Sequence, residues 1–476
     1  MNKSKILVYS IIVISIILCV PSVLYLVNNK TVDGFDAYYT YTLVKSDSEA
    51  VRLISGFVVI GLFLAFSVLY FFIVKKSQQI FKNKKQMLLL IMLISFIFIL
   101  VLPAFSSDIY YYIGDSWLQA KYNQNPYYVT VADLEEAGVT DEILANTGYW
   151  KETTSVYGPL WSMISRTLAS VSFGSVTIAL FVFKLAAYVV HIANSYIIYK
   201  ITKSTKYMLI YGLNPLVLME FLGSVHNDIY LIFFVLLALY YLIRKKNIYY
   251  TILFLALSIS IKFSTVLLVP FILIYYFRNQ TIPKRILYCF ISGISIIGIV
   301  VLLYLPYYQD YTIFTNMLVQ GGKYSQSIMM YLLLTLKPEN FEMVSKLLIP
   351  IFAIMYATGV VILLFKKQLN LREILSKYNI FMLIFIFVVL TNFQRWYVLW
   401  LLPTMIWQTK QMRQFILYIT ITAIIPTLNY FTVEAEPYYL GLHYSVSIIA
   451  MSVLAVFLQN RERIVKRYQQ EKLKKV

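Results

Sequence analysis

Charge is scarce in this chain. Of its 476 residues, 13% are Asp, Glu, Lys or Arg and 60% are apolar, against about 25% and about 45–50% in soluble domains. That balance excludes a water-soluble enzyme. Glycine and proline number only 16 and 13, too few for a fibrous or low-complexity protein. The two cysteines, Cys19 and Cys289, both lie within apolar runs, so no disulfide framework or thiolate metal site is indicated. Three histidines (His191, His226 and His443) are too scattered to read as a metal cluster.

Aromatic side chains, by contrast, are abundant, with 42 Tyr and 32 Phe. They suit a membrane-interface belt and walls that face sugar or lipid. Apolar runs long enough to span a bilayer lie near 6–27, 53–74, 87–105, 176–199, 284–305, 343–365 and 442–459. Shorter or interrupted runs lie near 159–174, 207–223, 228–243, 249–275, 378–392, 396–408 and 414–431. The pattern predicts an all-α polytopic membrane protein with roughly 12–14 membrane segments. The run after Lys3 and Lys5 exceeds the about 7–15 residues of a signal-peptide core, so it reads as a first transmembrane helix entered from the cytoplasm. No internal repeat and no appended soluble domain are visible.

The net charge of +19 sits in short clusters between apolar runs, among them Lys82–Lys85, Lys200–Lys206, Arg244–Lys246, Arg278–Arg285, Lys366–Arg372 and the tail from Arg461. This is positive-inside patterning and not a nucleic-acid groove, so the clusters and both termini are expected in the cytoplasm. Loop 106–158 is acidic, with Asp108, Asp115, Asp133, Glu135, Glu136, Asp141, Glu142 and Glu152 against Lys121 and Lys151. It is expected outside, together with the loops near 306–341 and 432–440. Keeping both Lys200–Lys206 and Arg244–Lys246 inside makes 159–174 an interfacial or re-entrant helix; otherwise one of those clusters breaks the rule.

Ionisable residues at membrane depth are costly and therefore functional candidates. Asp108 opens the outer loop among tyrosines, where a partly desolvated carboxylate suits a general base toward a hydroxyl. Asp115, seven residues on, shares its face if 108–120 is helical. Tyr157 precedes Gly158-Pro159, with Pro159 at a helix start. Glu220, His226 and Asp228 cluster between two short apolar runs, as expected where irregular backbone lines a cavity. Lys262 sits mid-way along an apolar stretch, placed to hold a phosphate as a point charge. Arg395 lies among aromatics, including Trp396, and suits bidentate phosphate recognition. Lys184 poses the same question within 176–199.

In this order the patches resemble the integral-membrane glycosyltransferases of the C superfamily, in particular bacterial polyprenol-phosphate-mannose-dependent mannosyltransferase-like proteins. The matching pieces are Ser107-Asp108-Ile109-Tyr110, Asn125-Pro126-Tyr127, Tyr157-Gly158-Pro159-Leu160, Asn214-Pro215-Leu216 and His226-Asn227-Asp228. Lys262 with Pro270, and Gln394-Arg395-Trp396-Tyr397 with Trp400 and Pro403, complete the set. The resemblance runs over about 87–405, taken as the catalytic membrane core. Segment 1–86 then holds N-terminal helices, and 406–476 holds C-terminal helices with the basic tail.

The resemblance implies a multi-pass cell-membrane enzyme with its site at the extracellular face. It would transfer a hexose, mannose first, from a polyprenyl-phosphate sugar to a cell-envelope glycan or glycolipid, with inversion. Asp108 takes the base role; Lys262 and Arg395 face the donor phosphate. Asp115, Tyr157, His226, Asp228 and Trp396 face sugar or acceptor. Many members pair acids around a divalent cation, but this loop has no Asp-x-Asp, which leaves metal dependence open. Two rival readings stand beside this one: a lipid-linked polysaccharide polymerase, and a lipid or polysaccharide flippase.

Overall fold

The computed structural model describes residues 3–29, 49–103, 106–315, 341–390, 393–425 and 447–460. Among them there is no strand. The principal helices of the first half are α1 (Lys3–Asn29), α2 (Glu49–Lys75), α3 (Lys84–Ile99), α4 (Asp108–Tyr122), α5 (Pro159–Ser170) and α6 (Val176–Thr202). They continue as α7 (Pro215–Gly223), α8 (Asp228–Lys245), α9 (Ile248–Ile259), α10 (Phe263–Tyr276) and α11 (Ile282–Tyr304). The rest are α12 (Phe341–Phe365), α13 (Leu371–Ile384), α14 (Arg395–Trp407), α15 (Lys410–Thr422) and α16 (Ser447–Asn460). The chain is an all-α polytopic membrane protein.

Segments of α1, α2, α6, α11 and α12 are long and apolar enough to cross a bilayer; α7 and α8 together add a sixth, bent by 119°. Among the described residues, several of the other apolar runs appear as shorter helices. The stretch 249–275, for example, splits into α9 and α10 at Ser260–Lys262. In the apolar windows of α11 and α12 only 11% of residues are buried, against 44% for α2 and 39% for α6. The last two therefore stand within the bundle, while α11 and α12 face outward. The run expected at 159–174 is α5, 12 residues long, about 18 Å at 1.5 Å per residue and too short to span. The tail from Arg461 and the loop near 432–440 lie outside the described residues.

Lys184 answers the question its position raised. Its ammonium, fully buried on α6, donates to the carbonyls of Val101 (2.7 Å), Leu222 (2.8 Å) and Gly223 (2.6 Å). Those carbonyls lack helical partners where α3 and α7 end, so the lysine fastens both ends to α6.

The segment joining α4 to α5 is a folded unit resting on α4. Asp141 accepts from Lys121 (2.6 Å), Trp117 (3.0 Å) and Tyr122 (2.9 Å), and its other oxygen caps the N–H groups of Ile143 and Leu144. Burial works to raise its pKa, but these donors outweigh it and hold the carboxyl at about 2. Asp115 is the opposite case. Burial pushes it up to about 8, with Ser155 as a weak counterweight, so it is protonated at neutral pH. The folded state then keeps a proton that the unfolded state releases near pH 4. Outer-loop stability is therefore expected to fall as pH rises from about 4 to about 8, by about 1.4 kcal/mol per unit, and then to level off. Asp115→Asn should flatten that slope, measured as melting temperature against pH.

Candidate active site

Two breaks in apolar helices build the site. The first lies between α7 and α8. Val225 takes a φ of +59°, an uncommon conformation for a β-branched residue, and is fully buried. The turn lets the His226 N–H reach back to the Glu220 carbonyl at 3.0 Å. It also brings the side chains together, with His226 Nε2 3.1 Å from Glu220 Oε2. The second break separates α9 from α10. Lys262 is extended there, with φ −157° and ψ 134°.

The backbone groups freed at the second break are used. The N–H of Leu160 bonds to Ser260 O and that of Gly158 to Ile261 O, both at 3.0 Å. A Cβ on Gly158 would stand 2.2 Å from the Ser260 oxygen, so only glycine allows this approach. The end of the outer loop is thereby docked beside Lys262. Gly158→Ala is expected to undock it and lower activity by on the order of tenfold or more, because displacements near 1 Å at a catalytic site carry penalties of that size. Transfer rates beside melting curves would check this.

The charged groups form two linked chains. In one, His226 Nδ1 lies 3.5 Å from Asp108 Oδ2, Nε2 faces Glu220, and Glu220 Oε1 receives the Arg395 Nε–H at 2.5 Å. Trp396 stacks on the imidazole at 3.5 Å between centroids, 18° from parallel. In the other, Lys262 Nζ donates to both oxygens of Asp228 (3.1 and 3.2 Å), and the Trp400 indole N–H adds a 2.6 Å bond. The ammonium sits 4.5 Å over Tyr397 and 5.4 Å over Trp400. Glu220, His226 and Asp228 are fully buried, while the side chains of Asp108 and Lys262 are each 20% exposed. These two are the groups open to a ligand. Burial acts to raise the Asp108 carboxyl, but the contact and charge of His226 and the charge of Lys262 outweigh it, holding it below the usual carboxylate range.

Tyr157 stands over this cluster from the loop. Its ring meets Tyr112 edge-on at 5.2 Å, and its carbonyl accepts the Tyr127 hydroxyl at 2.8 Å. A small cavity of about 10 Å³ lies beside Trp400, with Leu231, Val235, Thr265, Met382 and Thr404 among its walls.

Of the residues singled out from sequence, Asp108, Tyr157, His226, Asp228, Lys262, Arg395 and Trp396 come together. Asp115 stands apart: two turns along α4, about 10 Å on, it faces Ser155. Lys262 and Arg395 each arrive already paired with a carboxylate of the chain. The carboxylate oxygens of Asp228 and Glu220 are spent on cations and donors, and no group of three His, Cys, Asp or Glu among the described residues converges as metal ligands. This donor set does not fit a divalent cation, and no step below is routed through one.

Residues 14–278, more than half of the chain, match the family described as alpha-(1->6)-mannopyranosyltransferase, N-terminal domain. The chain belongs to this family. It is a glycosyltransferase of mannosyl type. No curated protein and no solved structure matches it. The matched region of the mannosyltransferase holds Asp108, Glu220, His226, Asp228 and Lys262, whereas Arg395, Trp396 and Trp400 come from beyond it.

The sequence reading assigned no role to Glu220, although a carboxylate in the apolar run Leu216–Leu222 carries the same warrant as Lys262. Asn227 entered only as part of the His226-Asn227-Asp228 piece, without a role, and its fully buried amide has neither nitrogen nor oxygen hydrogen-bonded.

Proposed function

We propose that the mannosyltransferase moves a mannosyl residue from a polyprenyl-phosphate sugar to a hydroxyl of a cell-envelope glycan or glycolipid, at the extracellular face. The observation that carries this reading is a partly exposed carboxylate, Asp108, beside a partly exposed ammonium, Lys262, in an otherwise desolvated, aromatic-walled site.

Asp108 takes the proton from the acceptor hydroxyl as its oxygen attacks the anomeric carbon. The carbon–oxygen bond to phosphate breaks, and the electron pair leaves on polyprenyl phosphate. Lys262 offsets the charge growing on that phosphate, in surroundings where such stabilisation is large, and Arg395, held behind it on Glu220, adds positive charge at longer range. Tyr157, which stands over the cluster, is the residue assigned to the acceptor side. A single displacement inverts configuration, so an α linkage of the kind named for the family requires a β-linked donor. The acceptor atom is then the primary 6-hydroxyl of a hexose.

The test is transfer by reconstituted protein offered β-linked polyprenyl-phosphate mannose, the α-linked donor, and nucleotide-linked mannose, with α-mannoside acceptors. Transfer from the β-linked lipid alone is the expected result. Transfer from the α-linked lipid or the nucleotide sugar overturns the donor assignment, and a β-linked product overturns inversion.

A further inference from the structure

His226 is placed where a sugar contact was expected, yet nothing on its ring is left for a sugar. Both nitrogens face carboxylates, at 3.5 Å (Asp108) and 3.1 Å (Glu220), one ring face lies on Trp396, and the residue has no exposed surface. Neither contact meets hydrogen-bond geometry, so the carboxylates act on the ring as ion-pair partners, and of the imidazole forms only the imidazolium, charged and protonated on both nitrogens, is attracted to both. Glu220 is in turn anchored on its other oxygen by Arg395.

We propose that His226 is a permanently charged positioning residue, an imidazolium clamped between Asp108 and Glu220 that fixes the rotamer of Asp108 and keeps it ionised for proton abstraction. The charge census supports this. Three acids (Asp108, Glu220 and Asp228) meet three cations (His226, Lys262 and Arg395), so the site is balanced only with the imidazole protonated. The other groups acting on Asp108 are Lys262, the Ser106 hydroxyl and the hydroxyls of Tyr111, Tyr112, Tyr157 and Tyr397. The groups acting on Glu220 are Arg395 and His226, and the Lys184 ammonium of α6 is occupied by the carbonyls of Val101, Leu222 and Gly223. The left-handed turn at Val225 fits the same role, since it holds the His226 backbone on the Glu220 carbonyl. Asp108 thus gains a fixed direction without giving up the oxygen that meets the acceptor.

The test has two arms. The first uses ring ¹⁵N NMR of the full chain in nanodiscs, with His226 identified among three histidines by its loss in His226→Gln. Wild-type His226 should stay imidazolium from roughly pH 5 to pH 8, and Glu220→Gln should make it titrate to the neutral form within that range. A neutral His226 in the wild type at neutral pH overturns the proposal. The second arm rests on Asp108 being the base. In His226→Gln the acid limb of kcat should move up by about one pH unit or more, since a carboxylate that loses a nearby cation ionises less readily. In Glu220→Gln the basic limb should move down, as the imidazolium is lost earlier. Limb positions do not depend on how much protein folds. Lower rates with both limbs unmoved mean a merely structural histidine and overturn the proposal.

Discussion

Asp108→Asn is expected to lower kcat by on the order of a hundredfold or more, with a smaller fall in melting temperature because buried His226 then keeps Glu220 alone as its carboxylate partner. The amide keeps the size of the carboxylate and its 3.3 Å backbone contact to Ser106, and the side chain is partly exposed, so no large desolvation penalty follows. What disappears is the acceptor for the hydroxyl proton. Donor binding is expected to survive, because Lys262 and Arg395 are untouched. Turnover should therefore fall with little change in KM for the donor, and the residual rate should lose its dependence on pH along the acid limb. A variant that turns over at the wild-type rate removes Asp108 from the base role.

The second large effect belongs to Arg395→Leu. Glu220 is fully buried, and Arg395 Nε–H is its closest donor, at 2.5 Å. Truncating one member of a buried pair strands the other charge, which costs about 3–5 kcal/mol. The melting temperature should drop sharply and turnover with it. Replacing both residues by apolar ones of similar volume removes the stranded charge, and such exchanges are often neutral or stabilising. The double variant Glu220→Leu with Arg395→Leu is therefore expected to regain much of the lost stability and none of the activity. If activity returns with stability, the pair serves the fold alone.

The legible parts of the site share one signal: an ionisable group in apolar sequence. Asp108, Lys262 and Arg395 carried it plainly. Lys184 carried it too and turned out to satisfy three carbonyls at helix ends, so the signal marks an expense and not its purpose. Glu220 carried it without being given a role, because its partner Arg395 is 175 positions away and no local pattern links them. Asp115 was grouped with Asp108 through helical spacing, and the helix is there. Two turns of rise, however, separate the residues along the axis, and spacing on a face does not report that distance. For His226 and Asp228, the sequence placed polar groups at a break in the membrane segment, but not that Lys262 and Trp400 would take the Asp228 oxygens or that both His226 nitrogens would face carboxylates.

The sequence by itself determined that the chain lies in a bilayer, that it is helical, and which polar residues stand where polarity is expensive. Those properties follow from composition and from the length of apolar runs, which act locally and need no partner. Only the tertiary structure decided which charge meets which. The breaks at Val225 and Lys262 come together because buried backbone groups must find partners, and Gly158 supplies one only where its missing Cβ admits a carbonyl. A charge buried in a membrane is neutralised by whatever group the packing brings within about 3 Å. That pairing is a property of the folded bundle, which is why Asp108, His226, Glu220 and Arg395 form one chain of contacts although they are scattered along the sequence.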